Sequence, residues 1–551
     1  MTTPSEQAPP KTTRTRTTAV AAIVLLVVLF VVALLVRPPQ PAPSPSAPSP
    51  TSTPAPSTPE ALPPVEIWAT SLDREFTTTS GSWVQVDGSR GAATDNEAAT
   101  DAADATLRLD TTSTRQTFNG VGAALTHSSA AVLASLSDAE RTALLEELFA
   151  PDGPARLGVL RIPFGGSDFV AEPAYTYNDV PDGETDWNLD RFTTASDDAT
   201  LRPILREILA IAPDLQLIAS PWSPPAWLKD SGSLVGGRLL ADDRAAPTYA
   251  RYLARAVEEY AATGIPISAI TVQNEPQART PDGYPGADMP VDDQVAIISA
   301  LGPALSDAGL STRIFAYDHN WALGPGDVAS TREGDDPEYE YPSDVLRGAA
   351  APWVAGVAYH CYSGDAGRML ELHNDFPTSD LWVTECSGSH GADDSSDQIF
   401  ASTLSWQTQN LVIASLNNWA STVLTWNLAL NSDGGPHIGG CNTCTGVVTV
   451  DADGTVTRNA EYYALAGIGR FAAPGAEVLD TTLDSPTDTA LPAVALRNPD
   501  GSVAVLVFND SDKARAVDFA ITGSDEYSAT ARADIPGRTV ATVVLPFPAD
   551  R

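Results

Sequence analysis

From Phe118 onward, short apolar runs rich in β-branched and aromatic residues alternate with longer stretches whose apolar positions recur every three to four residues. The first pattern reads as strands, the second as amphipathic helices. The strand-like runs are FNGVGAAL from Phe118, LGVLRIPF from Leu157, LQLIASPW from Leu215, ISAITVQNE from Ile267, TRIFAYDHNW from Thr312, VAGVAYHCY from Val354, LWVTECSG from Leu381 and STVLTWNL from Ser421. Between the third and fourth, Tyr252, Leu253, Ala256, Val257 and Tyr260 share one helical face, and Gly264 and Pro266 stop that helix. Eight strands separated by helices predict an α/β fold, a (β/α)8 TIM barrel with a parallel sheet.

Ahead of this pattern lies a different one. Residues 18–36, TAVAAIVLLVVLFVVALLV, carry no charge over 19 positions, enough for a helix to cross a hydrocarbon layer about 30 Å thick. Lys11, Arg14 and Arg16 precede the run, which predicts a cytoplasmic segment 1–17 and everything after Arg37 outside. Arg37-Pro38-Pro39 follows where a small-x-small cleavage pattern would stand, so a single transmembrane signal-anchor is expected, secretion after cleavage being the alternative. Residues 37–64 are dominated by Pro, Ser, Thr and Ala and read as an extended linker, a stalk open to glycosylation.

Charge narrows the partners. Without residues 1–64 the chain keeps 28 of its 32 basic and 68 of its 70 acidic residues, a formal charge of −40. Such a surface repels phosphate backbones and anionic headgroups, which excludes nucleic acid and leaves the N-terminal helix as the one contact with membrane. A neutral substrate fits. The four cysteines allow two disulfides in an oxidising compartment: Cys441-Asn442-Thr443-Cys444 reads as a small loop disulfide, with Cys361 and Cys386 either paired or free. The six histidines show no metal-ligand spacing, so neither metal nor cofactor is implied.

Active sites of such barrels lie at the C-terminal ends of the strands. Those ends carry Thr126-His127, Arg161, Ser220-Pro221-Trp222, Asn274-Glu275, Asp318-His319-Asn320, His360-Cys361-Tyr362, Glu385 and Trp426-Asn427. Aromatic faces beside amides and carboxyls are what a neutral sugar needs. Glu275 and Glu385 close the fourth and seventh strands and can face each other, as a retaining glycosidase requires of carboxyl groups about 5 Å apart. Pro276 is expected to end the fourth strand at Glu275. Glu385 is expected to have the lower pKa, held ionised by donors such as Tyr362 or Arg161, while its charge keeps Glu275 protonated. His360 reads as a buried, satisfied hydrogen-bonding residue, and Asp318-His319 lacks the nucleophile elbow a serine hydrolase would add.

In order, FNGVGAALTHSSA, RIPFGGSDF, ASPWSPPAWLKDSG, TVQNEPQ, HCYSGD, VTECSG and TWNLALNSDGGP resemble glycoside hydrolase family 30, the glucosylceramidases and β-1,6-glucanases, here in a bacterial membrane-anchored form. The resemblance implies Glu275 as acid/base, Glu385 as nucleophile, and a sugar subsite shaped by Arg161, Trp222, Asn274, Tyr362 and Trp426. It also implies a β-sandwich beside the barrel, built from strands in 65–117 and from 471–551, with the barrel spanning 118–470; SVAVLVFN and TVATVVL read as strands in their own right. Glucosylceramidases carry Asp where this chain has His127, another candidate sugar contact, so galactose, fucose or xylose stays open beside glucose. The expected activity is hydrolysis of a β-glucoside, in β-1,6-glucan or a glucosyl lipid, by a monomer acting on a neutral oligo- or polysaccharide or glycolipid. A silent carbohydrate-binding surface protein is the alternative.

Overall fold

The computed structural model describes residues 63–87, 102–170, 173–279, 281, 283–391, 393–485, 490–523 and 528–546. The expected span at 18–36 lies outside the described residues, as does all but the last two residues of the linker. Among the described residues no helix is long and apolar enough to cross a membrane.

Three strands come first: β1 (Val65–Ser71), β2 (Phe76–Asp87) and β3 (Ala105–Thr117). The barrel follows with β4 (Gly120–Ala124), β5 (Val159–Phe164), β6 (Gln216–Pro221), β7 (Ala269–Thr271), β8 (Arg313–Asn320), β9 (Val354–His360), β10 (Asp380–Glu385) and β11 (Ala420–Thr425). These pair in parallel in chain order, and β11 closes on β4. The helix Ala245–Ala262 buries Tyr252, Leu253, Ala256, Val257 and Tyr260 as its periodicity predicts.

Inside the barrel, Val159, Ile218, Ala269, Phe315, Ala358, Trp382 and Leu424 form one packed layer, each from a different strand. Phe315 and Trp382 fill most of it, with ring centroids 4.7 Å apart. The remaining strand, β4, brings Gly122 to that level: a Cβ there would lie 1.7 Å from the Val159 carbonyl oxygen and 2.8 Å from Leu424. A packed layer below the mouth gives the strand ends a rigid floor.

After a small three-stranded sheet, β12 (Ala429–Asn431), β13 (Val448–Val450) and β14 (Val456–Arg458), come β15 (Glu477–Asp484), β16 (Ala493–Arg497), β17 (Val503–Asn509), β18 (Arg515–Thr522), β19 (Ser528–Ile535) and β20 (Thr539–Leu545). The last six join β1–β3 in a hydrogen-bonded circuit, β1-β2-β19-β18-β3-β15-β16-β17-β20, which closes because β20 pairs with β1. The side domain thus has no free sheet edge in this circuit, where an open sandwich would leave edges to be protected. It holds its own apolar core, including Val65, Leu107, Val505, Phe519 and Val543.

The expectation that the fourth strand runs to Glu275 is corrected. β7 ends at Thr271, and Val272 to Glu275 leave the ladder before Pro276 is reached. Proline therefore does not end the strand; Glu275 instead takes a left-handed conformation, φ 45°, and its N–H donates to the Asp318 carbonyl at 2.9 Å. The same conformation recurs at Tyr317 and Asp318 inside β8, φ 73° and 70°, and at Asn427 just beyond β11, φ 63°. Such backbone costs of order 1–3 kcal/mol per residue and persists where surrounding contacts fix it.

Gly122→Ala should force β4 and β5 apart and lower stability by about 3 kcal/mol, the upper part of the range for an overpacked core. Thermal unfolding of the variant reads this as a drop of several degrees; an unchanged midpoint would show that the layer has slack.

Candidate active site

The site is organised by Arg161, which ends up fully buried at the mouth of β5. Its Nη1 donates to Glu385 Oε2. Its Nη2 donates to Asn274 Oδ1 at 2.6 Å and Asp318 Oδ2 at 2.9 Å, reaching Ser220 Oγ at 3.3 Å. Trp222 and Trp426 stack on each other at 5.1 Å, and the guanidinium lies 4.9 and 5.5 Å from their ring centroids. Tyr362 donates its hydroxyl to Glu385 Oε1 at 3.0 Å and is itself 45% exposed, at the rim.

On the opposite wall His360, with no exposure, bridges Glu275 Oε1 through Nδ1 and Asp318 Oδ1 through Nε2, both at 3.1 Å. Asp318 also accepts from Thr384 and Thr271, each at 2.7 Å, and from Ser220. One oxygen of Glu275, one of Glu385 and one nitrogen of His360 lie within 4.8 Å of one another. Three donors so close resemble half a metal site. Two carboxylates facing the two nitrogens of one imidazole leave no acceptor role for either nitrogen, however, so the ring is held as a cation with no lone pair for a metal.

Protonation follows from these contacts. Burial would lower the His360 pKa, but Glu385, Asp318 and Glu275 outweigh it and raise it to about 9. Burial would raise Asp318, yet Arg161 and His360 hold its carboxyl well below the ordinary range. The division expected between the two glutamates is reversed. Burial pushes Glu385 up, and neighbouring Glu275 adds to this against the pull of His360 and Arg161. On Glu275 the effect of burial is outweighed by the hydrogen bond from His360 and by the field of His319, and the carboxyl is lowered. The donors expected for Glu385 are there; the unexpected one is His360 on Glu275.

Of the residues read from the sequence, Glu275, Glu385, Arg161, Trp222, Asn274, Tyr362 and Trp426 are thus brought together. His127 is not joined to them. It opens the helix His127–Ala134, and its Nε2 meets Tyr175 Oη at 2.6 Å and Asp197 Oδ1 at 3.3 Å. Asp197 also accepts from Tyr175, Tyr177 and Tyr260, forming a separate buried network behind the first strand. His127 belongs to that network through Nε2, while its buried Nδ1 has no hydrogen-bond partner among the described residues.

Two participants escape the sequence reading. Asp318 stands at a strand end but reads there only as half of a serine-hydrolase dyad; the clue is an acid at the fifth strand opposite an arginine at the second. Asp168, in RIPFGGSDF, is 8% exposed with Oδ1 unpartnered among the described residues. Burial first, then the fields of Glu385 and Glu275, raise its carboxyl well above the ordinary range. Its carboxyl is thereby pushed toward the protonated form, which can donate to a sugar hydroxyl. Nothing in its sequence neighbourhood distinguishes it from a turn residue.

A parallel barrel whose mouth carries two carboxyl groups at this spacing, flanked by stacked tryptophans, defines the glycoside hydrolases of the retaining kind. The chain belongs to glycoside hydrolase family 30: residues 118–472 match the family's TIM-barrel domain and residues 475–543 its β-sandwich domain. It is 35% identical over 411 residues to an endo-1,6-β-D-glucanase of Neurospora crassa, covering 72% of this chain and 79% of that one. It is 32% identical to an endo-1,6-β-D-glucanase of Trichoderma harzianum (84% and 89% covered) and 29% identical to the lysosomal acid glucosylceramidase of Mus musculus (78% and 81%). A solved endo-β-1,6-glucanase superposes with a TM-score of 0.73 at 29% identity, over 88% of this chain and all of that one.

The His360 shift makes stability depend on pH. Its folded pKa of about 9 lies above an unfolded value near 6.5, so its contribution is complete below about pH 6.5 and is lost as pH rises through 9. Denaturant midpoints should fall across that window, and His360→Gln should flatten the fall. An equal decline in the variant would remove His360 as its source.

Proposed function

We propose that the chain is an endo-acting retaining β-1,6-glucanase, with Glu385 as nucleophile and Glu275 as acid/base. The observation that carries this reading is the placement of the two carboxyl oxygens within 4.8 Å, near the separation of about 5–5.5 Å for double displacement and short of the 6.5 Å or more that an inverting enzyme needs for its water. The β-1,6 linkage is supported by the likeness to the glucanases of Neurospora and Trichoderma. The absence of a carboxylate at His127 weighs against a glucosyl lipid.

Glu385 attacks the anomeric carbon with one oxygen oriented by Arg161 and the other by Tyr362. Arg161 also engages the Asn274 carbonyl oxygen, leaving the amide NH2 to donate to the sugar 2-hydroxyl, a contact that strengthens in the transition state. Glu275 must give a proton to the leaving oxygen although its own carboxyl is held low. That proton is stored one hydrogen bond away, on His360. As Glu385 attacks and the bond from the anomeric carbon to the leaving oxygen breaks, that oxygen gains negative charge and takes a proton from the Glu275 carboxyl, which the His360 imidazolium supplies. Once the glycosyl ester forms, Glu385 carries no charge, and Glu275 acts as base toward water.

We also place the enzyme outside a membrane, as a monomer, on an anchor at 18–36. The uncharged run, the basic residues before it and the Pro-rich linker support this, as do the disulfides Cys361–Cys386 and Cys441–Cys444, which require an oxidising compartment.

Glu385→Gln should abolish turnover with the fold intact. Glu275→Ala should lose about 10²–10⁴-fold on β-1,6-glucan, yet keep appreciable activity on a dinitrophenyl β-glucoside, with azide yielding the β-glucosyl azide. NMR of the first product decides the stereochemistry: a β-anomer from the wild type is expected, and an α-anomer would end the double-displacement reading. Fractionation of cells making the full chain should place it in the membrane; protein in the medium with an N-terminus beyond residue 37 would show a cleaved signal.

A further inference from the structure

A second cavity lies away from the barrel mouth, where the helix Ala460–Gly469 meets β1, β2 and β20 of the side domain. It holds about 280 Å³, and no residue at its wall belongs to the strand ends described above. Trp68 forms its floor. Phe76 and Phe471 tilt against that ring at 5.9 and 5.7 Å, and the Arg470 guanidinium lies 4.1 Å from its centroid. Arg458 and Glu147 close one side as a two-bonded ion pair.

Two features separate this crevice from an ordinary packing gap. Aromatic rings at a junction of two packed layers normally bury their faces, yet Phe76 is 55% exposed at the opening. Polar ends also reach the wall: the Arg470 guanidinium, stacked 4.1 and 5.5 Å from the Trp68 and Phe471 ring centroids, and the Tyr463 side chain. Aromatic rings for C–H surfaces with a guanidinium and a phenol beside them are elements that recognise a sugar. The volume stands at the lower edge of about 300–1,000 Å³ for small-molecule sites, which suits one or two rings.

We propose that this crevice is a second carbohydrate site that holds a short run of neutral β-linked glucose units of the polymer being cut. It rests on the glucanase reading for the identity of the sugar. A fatty chain would cover the two donors without satisfying them. The molecule's strongly negative charge disfavours a uronate-bearing chain. Holding one stretch of chain here keeps another at high effective concentration near the cleft.

The test uses the full chain carrying Glu385→Gln, so that the probe survives, titrated calorimetrically with a β-1,6-linked glucotetraose. Two binding events are expected. Adding Phe76→Ala or, separately, Arg470→Gln should weaken one of them at least tenfold and leave the other. In the otherwise wild-type chain, the same substitutions should raise KM for β-1,6-glucan several-fold while nitrophenyl β-glucoside turnover stays within twofold. A single binding event unaltered by both substitutions overturns the proposal, as does preference of the crevice for a glucuronate-bearing oligosaccharide or an alkyl chain. Failure of the glucanase reading looks different: the wild type would leave β-1,6-glucan uncut while the Phe76- and Arg470-dependent binding persists.

Discussion

The mouth of the barrel depends on a charge that cannot be neutralised. Arg161 is fully buried, and a guanidinium keeps its proton at any pH the fold survives. Taking it from water is costly unless fixed acceptors surround it, and stripping one such partner typically costs about 3–5 kcal/mol. The acceptors come from four strands or their ends: Ser220 on β6, Asn274 after β7, Asp318 on β8 and Glu385 on β10. Each must arrive at the right depth, and the left-handed residues at Glu275, Tyr317 and Asp318 are how the backbone delivers them. The strain at these positions and the buried charge sustain each other.

That arrangement needs a rigid base. The interior layer below the mouth contains only apolar side chains, and β4 contributes a glycine there because the Val159 backbone and Leu424 leave no room for a Cβ. Above it the tryptophan pair Trp222 and Trp426 lies over the guanidinium and keeps water off it. Lower local dielectric strengthens every ion pair in the cluster and makes each unpaired group more costly. The closed nine-strand side domain adds an independent core, so the stability lost to buried polar groups at the mouth is offset elsewhere.

Much of this is legible in the sequence because it follows from period and position. Each of the eight barrel strands falls, to within one residue, inside a run that reads as a strand, and taking their C-terminal residues together gathers nearly the whole cluster. What escapes depends on backbone geometry and on neighbours distant in sequence. A β-branched run ending at proline looks continuous up to Glu275, whereas the ladder ends at Thr271, since the residues beyond it must turn to reach Asp318. His127 occupies a strand-end position like the others, but Asp197, far along the chain, draws it away. His360 and Asp318 are visible at their strand ends, yet their role is not, because it exists only as a bridge between carboxyl groups on three strands.

The protonation states of the cluster explain why a site for a neutral sugar contains so many charges. Arg161 and His360 are positive, and Asp318 and Glu275 are held in the ionised range, so these four cancel. Asp168 and Glu385 are the carboxyl groups pushed upward. With Asp168 pushed toward its neutral form, ionising Glu385 adds a negative charge beyond the balanced four, on the group whose oxygens face Glu275. A neutral sugar in its ground state gains little from that charge. The oxocarbenium-like transition state, positive at the anomeric carbon, gains a great deal in so dry a cavity, and an interaction that appears only there raises the rate rather than the affinity. The ion pairs around Arg161 therefore do more than balance a buried cation: they offset the charges of Asp318 and Glu275, so that a charge on Glu385 is felt by the reacting carbon.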